Sequence, residues 1–526
     1  MTGEPQANMP NSWEAADLCE VAELNPRLDK SAHAGNLMVS FVPMPRVEAG
    51  TGTIDVSQTR SLEEVKKGYT PFREGDVLFA KITPCMENGK MAVVPPLKNG
   101  LGFGSTEFHV LRPYCEISAQ YIYFFVSSES FRRDAEHNMT GAVGQRRVPI
   151  SYLADQSVPV PPAREQRRIV AKIEELFSEL DKGIESLKAA RAKLNIYRQA
   201  VLKHAFEGKL TAQWREENKD KLETPEQLLA HIKQEREARY EQQLQEWKAA
   251  VKEWEGNSKS GKKPQRPKKL PKVTDLLHDV TAKLPPLPES WIWEKLGWMT
   301  CGVEYGTAAK SATTGRVPVL RMGNIQNTKF DWADLVYTSD ENEIAAYLLH
   351  DGDILFNRTN SPELVGKTAI YKGERPAVFA GYLIRVNHIR TIVDGQYLNL
   401  FLNSHIARQY GNNVKTDGVN QSNINGAKLS NYPFPYCSIE EQREIASILE
   451  KTFSLLDETE ADIVQELQKA DALRQSVLKK AFTGQLVPQD PSDEPASVLL
   501  DRIKAAREKA AQNNHSKKTR KKKTTA

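Results

Sequence analysis

The sequence predicts an α+β fold: two mixed α/β domains separated by two long helices packed as an antiparallel coiled coil, with a pseudo-two-fold internal repeat. Three observations carry this prediction. RQAVLKHAFEGKL at 198–210 returns as RQSVLKKAFTGQL at 474–486, and Glu165-Gln166-Arg167 returns as Glu441-Gln442-Arg443, with one offset of 276 residues (474 − 198 and 441 − 165). The stretch between these anchors therefore pairs without a gap, which marks a structural unit whose length matters. Within it apolar residues recur at helical spacing, and outside it they fall in short runs bounded by Gly, Pro and Asn.

The first domain is expected over 1–162. Its Pro10 and Trp13 answer to Pro288 and Trp291, Gly75 to Phe79 answers to Gly352 to Phe356, and Gly89-Lys90 to Gly366-Lys367. Asp76–Ala80, Phe108–Leu111, Ile354–Phe356 and Ala369–Tyr371 read as strands, and Tyr121–Phe125 and Tyr397–Phe401 as short helices. Two copies some 276 residues apart are too widely spaced for a solenoid, so one module has been duplicated and has diverged.

The first conserved helix is expected over 163–210. Ile169, Ile173, Leu176, Leu180, Ile184, Leu187, Leu194, Tyr197 and Val201 form its apolar stripe, Pro161-Pro162 precede it and Gly208 ends it. A charged helical and basic linker follows over 211–284, helical from Pro225 to Trp254, with a basic run at 259–272. The second domain spans 285–437. The second conserved helix spans 438–486, with Ile445, Leu449, Phe453, Leu456, Ile463, Leu467, Ala470 and Val477 on its stripe. A C-terminal helix (LLDRIKAARE at 499–508, resembling LLAHIKQERE at 228–237) and a basic tail, KKTRKKK at 517–523, complete 487–526. Both basic runs read as disordered, either as a solvated linker and solubilising tail or as weak phosphate contacts.

A narrow apolar stripe on a long helix needs a partner, so the two helices should pack together as a coiled coil. Parallel packing would bring both domains to one end, where they collide; antiparallel packing gives each its own end. Residues 164–206 make a helix of roughly 65 Å, comparable to about 19 base pairs of duplex DNA. Two diverged heads related by a pseudo-two-fold axis suit a two-part site on DNA, and a peptide-binding scaffold shares the geometry.

Composition narrows the classes. The chain has 526 residues, 40% hydrophobic and 27% charged, enough for two to four domains. No apolar run is long enough for a membrane helix, and MTGEPQANMPNSWEAADL has no secretory-signal pattern. The cysteines Cys19, Cys85, Cys115, Cys301 and Cys437 are scattered with no CxxC pair, which argues against a disulfide framework or compact zinc site and for a reducing cytoplasm. A net charge of +4 (72 − 68) does not by itself prove a nucleic-acid partner.

VLRMGNIQ at 319–326, GDILFNRTNSPELVGKTAIY at 352–371, GDVLFAKITPCMENGKMAVV at 75–94 and GSTEFHVLRP at 104–113 resemble the target-recognition domains of type I restriction–modification DNA specificity (S) subunits. The EQRRI and EQREI helices resemble that family's paired conserved regions, and the resemblance runs from about Pro10 to Leu486 in the family's order. It implies a non-catalytic, cytoplasmic subunit whose two domains read the halves of a split, asymmetric double-stranded DNA target while the helices measure the gap. It also implies two DNA adenine methyltransferase (M) subunits using S-adenosylmethionine, and two ATP- and magnesium-dependent motor–nuclease restriction (R) subunits. No cofactor is implied in this chain. The long linker departs from the pattern; it is either a solvated charged helix or an extra partner-binding one.

Catalytic chemistry is missing. The paired prolines stand in VVPPLK, VPPAR and LPPLP, none preceded by Asn as an adenine methyltransferase requires. SPELVGKT at 361–368 lacks the leading glycine of a phosphate loop. His109 reads as a satisfied core histidine, and no metal site or catalytic residue is assigned. Base reading favours Arg or Lys on guanine and Asn or Gln on adenine. The DNA-binding candidates are therefore Lys81, Lys90, Gln145, Arg146 and Arg147 in the first domain. In the second they are Arg321, Asn324, Asn357, Arg358, Asn360, Lys367, Gln421 and Asn423. GAVGQRRV (141–148) and DGVNQSNI (417–424) occupy matching places ahead of the two helices. A coiled-coil scaffold binding only proteins is the alternative.

Overall fold

The computed structural model describes residues 9–29, 32–142, 144–256, 263–267, 270 and 273–523, with the backbone alone at 511 and 513–523. Two compact units divide the chain: Met1–Lys188 with Ile463–Ala526, and Ala189–Asp462. Each thus holds one mixed α/β module and a part of both long helices.

In the first unit a four-stranded antiparallel sheet runs in the order Ala22–Leu24, Phe108–Pro113, Val77–Ala80, Met91–Val93. Its central strand is buried throughout, and its alternation sorts two faces. Val77 and Phe79 join Leu111, Tyr121 and Phe131 under the helices Ala119–Ser127 and Glu129–His137. Leu78 and Ala80 join Val42, Phe72 and Val110 against a second sheet, ordered Thr59–Ser61, Met38–Val42, Gly102–Gly104, Thr70–Phe72.

The second unit repeats the first sheet with Thr300–Tyr305, Leu383–His388, Ile354–Asn357 and Thr368–Ile370, again antiparallel. Ile354 and Phe356 face one core while Leu355 faces the other. The expected strands and short helices are all present, with ends shifted by a residue or two. A two-stranded ribbon closes each module, Glu14–Asp17 with Ser157–Val160 and Ile292–Lys295 with Pro433–Tyr436.

The long helices run Ala163–Phe206 and Ile439–Phe482, 44 residues each. The EQR motif explains their starts. Gln166 accepts from the Ser118 N–H at 2.9 Å and donates to the Pro161 carbonyl at 3.0 Å. Gln442 does the same with Asp394 (3.0 Å) and Cys437 (2.9 Å). Each buried amide thus locks the helix entry to the module before it.

Antiparallel packing is visible inside each unit. In the first, Arg474 pairs with Asp181 and stacks on Phe177, while later residues meet earlier ones: Gln489 with Glu165 and Asp493 with Arg168. In the second, Arg198 pairs with Asp457 at 2.6 Å and stacks on Phe453, and Arg191 meets Glu460. The Arg198 and Arg474 clamps are the same contact made twice.

Along the expected seam, Ile169, Ile173, Val201, Ile445, Leu449, Leu456, Ile463 and Val477 are buried; Leu176, Leu180, Ile184, Leu187, Leu194, Phe453, Leu467 and Ala470 are half-buried. Tyr197 is a correction. It is 54% exposed, because Arg198, at i+4 from Leu194, takes the seam position.

Gly208 and Gly484 end the helices at φ +70° and +73°. A Cβ there would lie 2.4 Å from Pro288 and from Pro10 respectively. That explains why Pro, Trp and Gly recur together in the two copies.

The linker is more ordered than its composition suggests. The helix Pro225–Gly256 buries Leu228, Ile232 and Arg236 on the second module, with Arg236 over Trp298. Of the basic run expected to be disordered, residues 263–267 lie back on this helix. The Trp247 indole donates to the Pro264 carbonyl at 3.1 Å, and Arg266 and Lys263 stack on Trp247 and Trp254. Burying cationic stems on indoles offsets their repulsion. Residues 259–262, 268–269 and 271–272 of that run lie outside the described residues. The helix Ala496–Lys523 buries Leu499 and Ile503 on the first module. The 517–523 run, also expected to be disordered, has helical backbone; Lys and Arg are good helix formers and suit a C-terminal end.

Candidate nucleic-acid interface

In each module the loop leaving the central strand and the turn ahead of the long helix converge through short antiparallel pairing, a small sheet in the second and isolated bridges in the first. In the second unit Thr359–Asn360, Ser422–Asn423 and Thr416–Asp417 form three short antiparallel strands, with Asn423 opposite both Thr359 and Thr416. In the first unit Arg147 bridges both Ile82 and Thr140. These are the same positions displaced by 276 or 277. The Val148 N–H donates to the Lys81 carbonyl at 2.8 Å, and that of Ile424 to the Arg358 carbonyl at 2.9 Å. Two segments distant in sequence thus make one polar platform, and its backbone plan is common to both heads.

The side chains differ. Arg147 forms a bidentate pair with Glu107, both contacts at 2.9 Å. The Arg147 guanidinium holds the Glu107 carboxyl below its usual range. Gln145 is exposed, and Arg146 reaches Glu136 only at 3.7 Å, leaving much of its charge to the surface. Lys81 is half-buried at the start of the platform. In the second head Asn423 donates to the Thr359 hydroxyl at 2.8 Å, Gln421 is exposed at the hairpin end, and the Asn360 side chain accepts from the Ser361 N–H. Arg358 stacks over Tyr305 at 4.9 Å. Burial, then the charge of Arg408, pushes the Lys367 ammonium below its ordinary pKa, which an arriving anion would relieve.

Several candidates are placed elsewhere. Asn324 is 3% exposed. Its oxygen accepts from the Arg321 N–H, and its amide donates to the Asp331 and Ala333 carbonyls, both at 3.0 Å, so it braces a turn and does not read a base. Asn357 is fully buried at the end of its strand. Asn324 is spent on bracing its turn, as short polar side chains after a strand often are, and Asn357 is set apart from the platform surface by its burial alone. Lys90 donates to the Val47 carbonyl at 2.9 Å and ties its loop to the segment that follows Met38–Val42. Arg321 pairs with Asp334, away from the platform in the bonding pattern. His109 has the structural role expected of it. It bonds the Val148 carbonyl at 2.9 Å through Nε2 and Asn25 through Nδ1, and burial holds its pKa down. These bonds suit a neutral ring protonated on Nε2.

Sequence reasoning missed Glu107, Thr359, Tyr305, Lys415 and Lys428, which orient or surround the platform. The Lys428 ammonium reaches the Thr416 hydroxyl, and Lys415 the Pro362 carbonyl at 3.2 Å. Only the folded pairing brings them there. Among the described residues no cluster of three or more His, Cys, Asp or Glu is arranged to hold a metal, and no helix is long and apolar enough to cross a membrane.

Comparison with known proteins gives consistent matches. The family described as type I restriction modification DNA specificity domain matches residues 10–189 and 305–469. The EcoAI type I restriction enzyme specificity subunit of Escherichia coli is 28% identical over 505 residues, covering 90% of this chain and 84% of that protein. The EcoEI specificity subunit of the same species is 28% identical over 532 residues with the same coverage. Among solved structures, an HsdS subunit from Thermoanaerobacter tengcongensis covers 92% of this chain and all of its own at a TM-score of 0.53 and 18% identity. A chain from a study of type I R-M complex assembly and conformational transition reaches 0.64 at 18% identity, covering 91% of this chain and 99% of its own. The structural likenesses concern the fold.

Proposed function

This chain belongs to the type I restriction–modification DNA specificity family, and on that premise we propose that its two modules read the two halves of a split, asymmetric duplex DNA target. It is a specificity subunit; the catalytic activities reside in other subunits of such complexes. The reading extends to two adenine methyltransferase subunits, which bring S-adenosylmethionine, and two restriction subunits, which bring ATP and magnesium chemistry, assembling on it in the cytoplasm. The spacer helices set the unread gap, and a helix of 44 residues bounds it at about 19 base pairs.

One observation carries this: the same two-segment platform occurs in both units with different side chains on it. A shared backbone plan suits a shared ligand, and divergent side chains suit divergent base sequences. Arg146 and Arg147 in the first head, and Arg358, Lys367, Gln421 and Asn423 in the second, are the residues proposed to contact DNA. Phosphate contacts should set orientation and the amides should supply discrimination.

Binding-site selection from random duplexes with the complex of this chain and its methyltransferase partners tests the reading. The expected result is two short conserved blocks separated by a fixed unconserved gap. Absent or sequence-blind binding would favour a protein-only scaffold instead.

A further inference from the structure

Val419 is 101% exposed, more than any other large apolar side chain among the described residues. Single exposed apolar residues are ordinary on protein surfaces; this one differs in where it stands. It caps the hairpin that carries the second platform, and that hairpin is braced from several sides. The Gly418 N–H donates to the Gln421 carbonyl at 2.7 Å, the Ser422 hydroxyl bonds Asp417, and Asn423 is tied to Thr359. Lys428 reaches across to Thr416. A tip held this firmly has its ordering cost already met before any partner arrives.

The internal repeat separates two kinds of position on this hairpin. Thr140, Val143 and Gln145 match Thr416, Val419 and Gln421 at the 276 offset. Gly141, Ala142, Gly144, Arg146 and Arg147 are replaced by Asp417, Gly418, Asn420, Ser422 and Asn423. Val419 packs against nothing in its own unit, so burial does not explain a valine at this position of the second copy. A residue that two diverged heads share cannot by itself tell their half-sites apart. It suits a contact that every duplex offers.

Resting on the DNA-recognition reading above, we infer that Val419 is a sequence-blind apolar wedge. It enters a groove of the duplex and packs on a base step, while the variable neighbours Asn420, Ser422 and Asn423 discriminate. Arg358 and Lys428 at the foot of the hairpin give the charge complementarity that would seat it on a phosphate backbone, while Lys415 lies 3.9 Å from Asp417 and offsets that carboxylate. Apolar side chains wedged into base steps are an established mode of groove binding.

The test uses the full chain assembled with its methyltransferase partners. The wild-type, Val419→Ala and Asn423→Ala complexes are each titrated on the selected target and on its single-base variants. Val419→Ala removes two methyl groups and should weaken binding about tenfold. The loss should be the same on target and variants, with an unchanged thermal midpoint, and a 2-aminopurine placed at the contacted step should lose its binding-induced fluorescence rise. Asn423→Ala should instead change preference at one base pair. If the wild type selects a split target and Val419→Ala matches its affinity, the wedge is overturned alone. A preference changed at one base pair by Val419→Ala also overturns it, making valine a base reader. A wild-type complex that selects no sequence overturns the parent reading and this one with it.

Discussion

Glu441 offers the sharpest test of how the spacer helices are fastened. Its carboxylate is 1% exposed and accepts from three donors: the Thr211 hydroxyl at 2.6 Å, Arg215 Nη1 at 2.5 Å and the Trp291 indole N–H at 2.8 Å. These donors come from the short helix Ala212–Glu217 with its N-cap Thr211, just after the first long helix, and from the start of the second module, so one side chain closes three segments of the same unit. Glu441→Ala would leave two buried neutral donors without acceptors, about 1 kcal/mol or more each, and would unpair a largely buried arginine. The sum is about 3–5 kcal/mol, the range for breaking a buried ion pair from one side. Its counterpart Glu165 bonds Gln489 at 2.6 Å and makes no ion pair of this kind, so Glu165→Ala should cost about half as much. Hydrogen exchange over 208–216 and 439–446 would read the effect locally, where a multi-domain chain has no single unfolding free energy. Exchange in Glu441→Ala should speed up by roughly two to nearly four orders of magnitude. Less than a tenfold change, or an effect no larger than that of Glu165→Ala on its own segments, would refute the account.

Other outcomes follow from particular contacts. Arg146→Ala with Arg147→Ala should weaken DNA binding and lower the salt slope by about 1–2, while costing at most about 1 kcal/mol of stability because the Glu107 pair is partly exposed; undiminished affinity at moderate salt would remove both from the interface. Gly484→Ala should destabilise the end of the second long helix by about 1–3 kcal/mol, read as faster hydrogen exchange over 479–486, since it combines positive φ with a proline 2.4 Å away. Gly183→Ala, inside the first long helix with open space around it, should instead gain about 0.5–1 kcal/mol. Burial pushes the Glu165 carboxyl up despite Gln489 and Trp13, so its contribution is full below the ordinary glutamate value and is lost as pH rises through the raised one. Glu165→Gln should therefore match the wild type in acid and be more stable at neutral pH, as followed by thermal unfolding; a less stable variant at neutral pH would contradict this.

Much of the fold was legible because it rests on periodicity and on repetition. The 276-residue offset pointed to a repeated module and to the two long helices, and of the residues expected on the helical stripes only Tyr197 is exposed. The repeated Pro, Trp, Gln and Gly landmarks proved to be contacts with one another: Gly208 on Pro288, Gly484 on Pro10, and each glutamine on the loop before its helix. The candidate site was legible only as two unrelated loops in each head. Residue type nominated Asn324 and Asn357 as readily as Gln421 and Asn423, since a buried amide and one at the surface of the platform look alike in a sequence.

The sequence by itself determined the duplication, the two long helices and the family, all of which depend on spacing along the chain. Only the tertiary structure decided which polar groups are already satisfied by their neighbours. That pairing set Arg147 on Glu107 and Asn324 inside its turn, and it put Arg198 in the seam in place of Tyr197. It left Val419 uncovered, because hydrogen bonds and burial between segments far apart in the chain are settled only when those segments meet.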